Sequence, residues 1–340
     1  MALLEIEDLR VRFQTRDGVV RAVEGVSLSL DRGRTLGIVG ESGSGKSVTA
    51  LTVMGLSRLP NATVEGRVLF DGLDLLALPL EELALYRGKR IGMIFQDPMS
   101  SLHPLYKVGW QIVEAIRAHE DVSKSAARRR ARDALAEVGI PNPSERLDSY
   151  PHELSGGMRQ RVMIAMALVL DPDVLIADEP TTALDVTVQV QILDLVRRLQ
   201  AERGAAVLLI THDLGVVAET ADEVAVMYAG RVVELGRMET ILGAPEHPYT
   251  WGLIESLPRL GDARGARLHP IAGQPPSLIH VPSGCPFHPR CPHAFAVCPE
   301  VEPPLLPSGP GHVVACHLAP AARRRIGLAL RSAATGGSVG

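Results

Sequence analysis

The chain has 340 residues, of which 46% are hydrophobic and 4% are aromatic, and its formal net charge is −4. This size and apolar content are typical of a packed protein with one large domain and a smaller one. The slightly acidic balance and the few aromatic residues argue against nucleic acid as a partner. No apolar run approaches the ~20 residues that cross a bilayer, and the N-terminal residues do not resemble a signal peptide. We therefore expect a cytoplasmic protein with reduced thiols.

The first forty residues carry apolar runs separated by turn signals at Asp17-Gly18 and Asp31-Arg32-Gly33. They predict an antiparallel β-layer with strands over residues 3–13, 19–23 and 26–30. A buried strand is predicted over 35–39 and a helix over 48–56. Between them lies the pattern G-x-x-x-x-G-K-S of a phosphate-binding loop. The loop consists of Gly40, Glu41, Ser42, Gly43, Ser44, Gly45, Lys46 and Ser47.

This loop has the composition that a polyphosphate requires. Its glycines let the backbone wrap closely and point N–H groups inward, and the following helix adds its positive dipole end. Lys46 would reach the β- and γ-phosphates, and the Ser47 hydroxyl would hold Mg²⁺. The alternative is a glycine-rich turn that binds nothing, but the position between strand and helix favours binding of a nucleoside triphosphate.

The middle of the chain is predicted to be mostly helical between residues 105 and 170, after strands over 66–70 and 91–95. The basic run Arg128–Arg130 lies on a predicted helix over 124–138 and is interpreted as a solvated face. Ser155, Gly156 and Gly157 precede another helix and form a second anion-binding helix start. One triphosphate needs one such cradle, so we expect the second to serve the nucleotide of another subunit.

From residue 174 strands and helices alternate, which predicts a parallel sheet with crossover helices. Asp178 and Glu179 follow an apolar strand at the sheet edge where ligands bind. Asp178 is suited to hold the Mg²⁺ water shell, and Glu179 to orient and polarise the attacking water. Two acids that merely begin a helix are the alternative.

The composition changes after about residue 242, where prolines accumulate and the strand–helix rhythm ends. We predict a domain over 1–243, a loop-rich module over 244–320 and a flexible tail over 321–340.

Six stretches stand in the order of the motifs of ABC-transporter ATPases. They are Gly40–Ser47 (Walker A), Gln96 (Q-loop), Leu154–Gln160 (signature), Ala177–Glu179 (Walker B), Ala183–Asp185 (D-loop) and Thr211–Asp213 (switch histidine). The resemblance covers roughly residues 3–243. It implies an α/β P-loop NTPase cassette with a parallel core sheet, an antiparallel β-layer and a helical signature subdomain. It also implies that two cassettes sandwich ATP between the Walker A motif of one and the signature of the other.

The family's roles carry over to matching positions. The resemblance implies that Ser155, Gly156 and Gly157 contact the γ-phosphate held by the partner, and that Asp185 acts across the interface. The implied catalytic residues are Lys46, Gln96, Glu179 and His212, and the implied Mg²⁺ residues are Ser47, Gln96 and Asp178. Gln96 would also relay the nucleotide state toward membrane subunits. For adenine stacking we choose Phe13, the only aromatic residue in the first strands; a phenylalanine of the core is the alternative.

Three further segments look like those of the oligopeptide and dipeptide import branch, in particular its D-type ATPase subunit. They are Ile94–Pro104, His247–Thr250 and Gly284–Cys291, with His103 in place of the usual asparagine of the first segment. Nickel importers and some sugar importers share this branch.

All four cysteines, Cys285, Cys291, Cys298 and Cys316, lie in the C-terminal module. Their spacing lacks the close pairs of zinc modules and differs from both familiar ferredoxin patterns, and a reduced cytoplasm disfavours disulfides. The resemblance implies a [4Fe-4S] cluster held by the four thiolates. Zinc, with nearby histidines as further ligands, and metal-free buried thiols are the alternatives.

We therefore interpret the chain as an ATP-hydrolysing subunit that energises import of di- and oligopeptides. The implied partners are a second ABC ATPase, two transmembrane permease subunits and an extracytoplasmic peptide-binding protein, with this chain at the cytoplasmic face of the cell membrane. A nickel or sugar importer is the alternative within the branch. A soluble ABC ATPase and a redox-responsive regulator are alternatives of another class.

Overall fold

The computed structural model of the protein describes residues 2–97, 101–180, 186–256 and 271–335. The chain forms two compact units. The first comprises Met1–Leu4, Leu30–Thr35 and Leu69–Ile210, and the second comprises Glu5–Ser29, Leu36–Val68 and Thr211–Gly340. N-terminal strands and the C-terminal segment belong to the same unit, and the predicted domain boundaries at residues 243 and 320 stay a prediction.

The first unit contains a parallel sheet and most of the helices. Its strands are β5 (Leu73–Asp74), β6 (Ile91–Ile94), β7 (Val174–Asp178) and β8 (Ala206–Thr211), and its helices are α2 (Leu80–Ala84), α3 (Val108–Arg117), α4 (Lys124–Glu137), α5 (Pro143–Arg146), α6 (Gly156–Leu168) and α7 (Val186–Arg203). Strands β6, β7 and β8 are parallel neighbours. All five residues of β7 are buried, which agrees with the continuous apolar run that precedes Asp178 in the sequence.

Helix α4 forms where the alanine-rich segment predicts it. Ser123 caps its N-terminus by accepting the N–H of Ala126 at 3.2 Å. Three alanines at helical spacing and Leu135 are buried. The arginines of the opposite face meet acids near the surface, as in the 2.6 Å contact of Arg128 with Asp148. The basic run is thus the solvated face that the sequence indicates.

The second unit holds most of the antiparallel β-layer and a mixed sheet. Its strands are β1 (Ala2–Thr15), β2 (Gly18–Asp31), β3 (Thr35–Val39), β4 (Ala62–Phe70), β9 (Glu223–Tyr228), β10 (Arg231–Arg237), β11 (Leu306–Gly309) and β12 (His312–Val314), and its helices are α1 (Lys46–Val53), α8 (Leu214–Thr220), α9 (Met238–Gly243), α10 (Pro248–Glu255) and α11 (Pro320–Thr335). The β-layer has the order β2-β1-β4-β5. Strand β3 runs parallel to β9, and β10 lies antiparallel between β9 and β12.

Strand β2 is a single element, where the sequence predicts two strands separated near residue 25. Gly25 adopts a φ of +76° within this continuous strand, a conformation that glycine adopts without steric cost. The predicted break is therefore a distortion within one long strand.

The C-terminal segment contains more regular structure than its prolines indicate. Strands β11 and β12 extend the mixed sheet, with Val314 opposite Glu234 of β10. Helix α11 occupies Pro320–Thr335, where a flexible tail over 321–340 is predicted. The difference arises because Arg323 is buried and donates to the Glu246 carboxylate at 2.9 Å, a partner 77 positions away that local sequence does not reveal. No helix in the described parts of the chain is both long and apolar enough to span a membrane.

A fully buried carboxylate ties this segment to the sheet. Glu234 of β10 has no exposed surface. Its two oxygens accept the backbone N–H groups of Glu246 at 2.7 Å and His247 at 3.1 Å. The His312 Nε2 atom lies 2.9 Å from the same carboxylate. Burial of an anion is tolerated here because both oxygens have donors.

We expect Glu234→Gln to lower the free energy of unfolding by about 2–4 kcal/mol. The glutamine keeps one acceptor oxygen and turns an NH₂ group toward a backbone N–H. Glu302→Gln is the matched control, because Glu302 pairs with Arg231 at 2.6 Å but its side chain is 53% exposed, and such a pair contributes about 0–1 kcal/mol. Denaturant unfolding of the full chain measures both variants, and equal losses would contradict a special role for Glu234.

Candidate functional site

The predicted phosphate loop connects β3 to α1 in the second unit. Gly45 precedes the helix with a φ of +101°, and a Cβ atom there would lie 2.3 Å from the Ala22 carbonyl oxygen. A glycine is therefore required by both conformation and space. A Cβ atom at Gly43 would meet no atom within 4 Å, so this part of the loop borders open space. The loop presents exposed backbone next to a helix N-terminus, as anion binding requires.

Lys46 is the buried cation of this loop, with 5% of its surface exposed. Its Nζ atom donates to the carbonyl oxygens of Gly40 at 2.8 Å and Glu41 at 2.9 Å, and lies 3.4 Å from Ser44 Oγ. The ammonium group is thus held against the loop backbone. Ser47 follows it in the first turn of α1 and is partly exposed.

His212 is exposed at the end of β8, between two residues that fix the local backbone. The Thr211 hydroxyl accepts the N–H of Asp213 at 3.0 Å. Asp213 caps α8 by accepting the N–H groups of Gly215 and Val216. The Thr-His-Asp sequence therefore locks the turn and leaves the imidazole on the surface. Phe13 lies partly buried on β1.

The predicted acids lie in the first unit, at the end of β7. Asp178 is 4% exposed and Glu179 is 8% exposed. Glu179 has a φ of +46°, a left-handed conformation that costs a non-glycine residue about 1–3 kcal/mol and is concentrated at functional sites. Its N–H donates to the Ile210 carbonyl at 2.8 Å, and its carboxylate accepts from Gln96 Nε2 at 3.0 Å. Glu179 is therefore fixed at both its backbone and its side chain.

The signature stretch begins α6 in the same unit. Ser155 is the N-cap, and its hydroxyl accepts the Met158 N–H at 3.3 Å. A Cβ atom at Gly156 would meet nothing within 4 Å, so the helix start faces open space. Further along α6, the buried Gln160 donates to the Pro180 carbonyl, next to Glu179. Asp185 of the predicted D-loop lies outside the described residues.

The cysteines lie together in the C-terminal segment. All four line one small cavity, with His247, His288 and His293 among its other lining residues. The local backbone closes on itself, because the Cys285 N–H donates to the Cys298 carbonyl at 2.7 Å. All four are free cysteines in the structure.

Burial and neighbouring cysteines raise the pKa values of three of these thiols. Burial raises the pKa of Cys285 and of Cys291 to about 11, and the other cysteines add to the shift. Burial likewise raises the pKa of Cys316. Within the described parts of the chain, no group of three or more His, Cys, Asp or Glu residues is arranged to hold a metal ion. The four cysteines share one cavity, and their convergence on a metal centre stays a prediction.

Comparison with known proteins matches two families along the chain. Residues 23–182 match the family model described as ABC transporter. Residues 233–298 match the model described as oligopeptide/dipeptide transporter, C-terminal region. The chain is 53% identical over 317 residues to a protein of Bacillus subtilis named dipeptide transport ATP-binding protein DppD, covering 93% of this chain and 94% of that one. The chain belongs to the ABC-transporter ATPases.

Further relatives of this ABC ATPase carry related names. The oligopeptide transport ATP-binding protein OppD of Salmonella typhimurium is 52% identical, with 92% of this chain and 93% of that protein covered. Among solved structures, the dimeric bacterial ABC transporter cassette MJ0796 matches with a TM-score of 0.63 and 28% identity, over 69% of this chain and 98% of that chain. The family and the fold that the motifs predict are confirmed.

Two residues near the Walker A loop of this ABC ATPase escape sequence reasoning. Arg290 pairs with Glu41 across 249 sequence positions, and the Tyr249 hydroxyl accepts the Glu41 N–H at 2.8 Å. Both residues fall in segments that carry the narrower resemblance. In the sequence, Arg290 is marked only by its position next to Cys291, and Tyr249 only by its place in the segment His247–Thr250. Neither signal indicates contact with the loop.

Proposed function

We propose that this ABC ATPase hydrolyses ATP to drive import of dipeptides and oligopeptides through a membrane complex. The main support is the combination, in one chain, of an ABC cassette and a peptide-transporter C-terminal region. Relatives named for dipeptide and oligopeptide transport are 53% and 52% identical to it over 93% and 92% of its length. A nickel or sugar importer of the same branch is the competing substrate class.

The nucleotide would be held by the Walker A loop and its helix start. Lys46 would transfer its hydrogen bonds from loop carbonyls to the β- and γ-phosphate oxygens, and Phe13 would stack on adenine. Mg²⁺, which neutralises charge on the phosphates, would be bound through Ser47, Gln96 and Asp178. The remaining phosphate contacts would come from the loop N–H groups, which lie in the stretch Gly40–Ser47.

Glu179 is our proposed group for orienting the attacking water. Its fixed backbone and the hydrogen bond from Gln96 give the carboxylate a defined direction. A carboxylate held in this way polarises water without a free-energy cost for reorienting its side chain. Gln96 would then report the state of the nucleotide, because it touches Glu179 and begins the Q-loop. His212 would donate to the γ-phosphate.

The open start of α6 supports a role in a pair of cassettes. Ser155, Gly156 and Gly157 would contact the γ-phosphate held by a partner, with Asp185 at the same interface. The relevant observation is that the helix N-terminus borders empty space at Gly156, where N–H groups and the helix dipole favour an anion. The partner is a second ABC ATPase, identical or related.

The membrane partners in this proposal are two permease subunits and an extracytoplasmic peptide-binding protein. The chain would attach to the permeases at the cytoplasmic face of the membrane. A surface for them is offered by Tyr106 and Trp110, which are stacked at 4.2 Å between ring centroids and more than 40% exposed.

The four cysteines are our proposed ligands of a [4Fe-4S] cluster. They share one cavity, and thiolate ligands suit iron–sulfur chemistry. The raised pKa values of Cys285, Cys291 and Cys316 mean that thiolates at these positions would persist only beside a cationic centre. A bound cluster would cross-link proline-rich loops that have little apolar core of their own.

Function is tested by reconstituting the chain with its permeases and binding protein in vesicles. We expect ATP-dependent dipeptide uptake, and we expect Glu179→Gln to keep MgATP affinity while turnover falls at least ~100-fold, because the water loses its orienting carboxylate. Glu239→Gln is the control, since the Glu239 side chain is 84% exposed. Uptake of nickel or sugar without peptide would reject the proposed substrate, and near-normal turnover of Glu179→Gln would reject its role.

The cassette pair is tested with Ser155→Arg. We expect ATPase activity of the assembled complex to fall about 100-fold or more, because the arginine fills the space meant for the partner's phosphate, while nucleotide affinity of this chain is retained. Ser123→Arg is the control, because Ser123 caps α4 in the same way. Weaker binding of nucleotide by the Ser155→Arg chain itself, with closure unaffected, would contradict the sandwich arrangement.

The metal centre is tested by iron content after anaerobic purification. We expect brown protein with about four irons per chain, and a loss of iron when any one cysteine is replaced by serine. His293→Gln is the control, because His293 lines the same cavity but is not a proposed ligand. Colourless protein with one zinc per chain would select the zinc alternative, and metal-free protein with four reactive thiols would exclude both metals.

A further inference from the structure

An ion pair joins the C-terminal segment to the phosphate loop. Arg290 donates through Nη1 and Nη2 to the two carboxylate oxygens of Glu41, at 2.6 and 3.0 Å. The Arg290 side chain is 5% exposed and that of Glu41 is 26% exposed. A two-pronged contact with this little exposure is both directional and poorly screened by salt.

Arg290 is itself held rigidly. Its guanidinium donates to the carbonyl oxygens of Ile271 and Ala272 at 3.3 and 3.0 Å. Its Cζ atom lies 5.8 Å from the ring centre of Tyr228 and 5.9 Å from that of Phe287. A fifth hydrogen bond runs from Nη1 to the Tyr228 hydroxyl at 3.4 Å. Together these contacts leave the arginine little freedom. The position of Glu41 is therefore set by a part of the chain outside the loop.

Tyr249 holds the backbone of the same residue. Its hydroxyl accepts the Glu41 N–H at 2.8 Å, and its ring packs against Tyr228 at 4.6 Å and Phe287 at 5.4 Å between centroids. Burial raises the pKa of Tyr249 above its ordinary value, and the Glu41 charge adds to the shift, so the hydroxyl stays neutral. The Glu41 carbonyl accepts from Lys46 Nζ at 2.9 Å. The side chain, N–H and carbonyl of Glu41 are thus each engaged.

Glu41 presents an electrostatic problem that Arg290 solves. It places a carboxylate in a loop whose N–H groups and helix dipole attract anions. An uncompensated negative charge there would repel a triphosphate. At short range in a partly buried site, such repulsion lowers the affinity several-fold or more. The arginine cancels this charge. The loop N–H groups and Lys46 then set the positive electrostatic potential at the site where a nucleotide would bind.

We propose that Arg290 and Tyr249 are positioning residues for ATP binding, because they hold Glu41 and neutralise its charge so that the phosphate loop accepts a triphosphate. The C-terminal segment thereby acts on nucleotide affinity without touching the nucleotide. The inference rests on the proposed ATP-binding role of the chain.

The experiment measures the dissociation constants of MgATP and MgADP for the full chain by calorimetry. We expect Arg290→Met to weaken MgATP binding about tenfold and MgADP binding less, because the exposed Glu41 charge repels the more highly charged ligand more strongly. Adding Glu41→Gln to Arg290→Met should restore at least half of the loss on a logarithmic scale, because it removes that charge. Tyr249→Phe should weaken both nucleotides about threefold.

Arg231→Met is the matched control. Arg231 also makes a two-pronged contact in the same unit, with Glu302 at 2.6 and 3.1 Å, and neither of these residues belongs to the loop. We expect its MgATP affinity to stay within about twofold of the parental value. If Arg290→Met fails to fold, Arg290→Lys replaces it, because it keeps the charge and loses the fork, and should weaken binding about threefold.

The outcomes separate the inference from the function on which it rests. A parental chain that binds no MgATP would reject the proposed function. A parental chain that binds MgATP, with Arg290→Met binding equally well, would reject the inference alone. Equal losses in Arg290→Met and Arg231→Met, or no rescue by Glu41→Gln, would also overturn it, because a general loss of packing would then explain the result.

Discussion

A carboxylate can be buried only where donors surround it, and several carboxylates among the described residues of the second unit meet this condition. Glu234 is satisfied by two backbone N–H groups and lies against His312, Glu246 by Arg323 and Ser308, and Glu41 by Arg290. Each pair joins segments that are distant in sequence. The sheet, the C-terminal helix and the phosphate loop are therefore connected by a few interactions whose removal would leave a charge without a partner.

The chemistry of the phosphate loop comes from its own residues, whereas its position is fixed by contacts with distant segments. The sequence of the loop determines its glycines, its lysine and its helix start, and these can be recognised without a structure. What holds the loop in place comes from elsewhere, since the Ala22 carbonyl packs against Gly45 and Tyr249 accepts from Glu41. A motif thus identifies the chemistry of a site, whereas its rigidity depends on segments that the motif does not include.

Local pattern predicts those parts of the fold whose stabilising contacts lie nearby. Strand β7 and helix α4 agree with the sequence because their burial follows directly from apolar period and alanine spacing. Helix α11 and the continuity of β2 differ from the sequence-based predictions. Helix α11 depends on a buried partner 77 positions away, and the continuity of β2 depends on the conformation of a single glycine. In the candidate site, the sequence singles out Glu179 and Gln96 but not their hydrogen bond. The bond joins residues 83 positions apart, a contact that no local period encodes.

The separation of Glu41 and Arg290 along the chain also has a consequence during synthesis of the protein. The two residues are 249 positions apart, and at about 5–20 residues per second a ribosome needs on the order of 10–50 s to proceed from one to the other. During that interval the glycine-rich loop has been synthesised, but the arginine that neutralises Glu41 has not. The newborn cassette therefore acquires its full complement of loop contacts only after Arg290 has been synthesised, and on our proposal this postpones tight nucleotide binding until the C-terminal segment has folded.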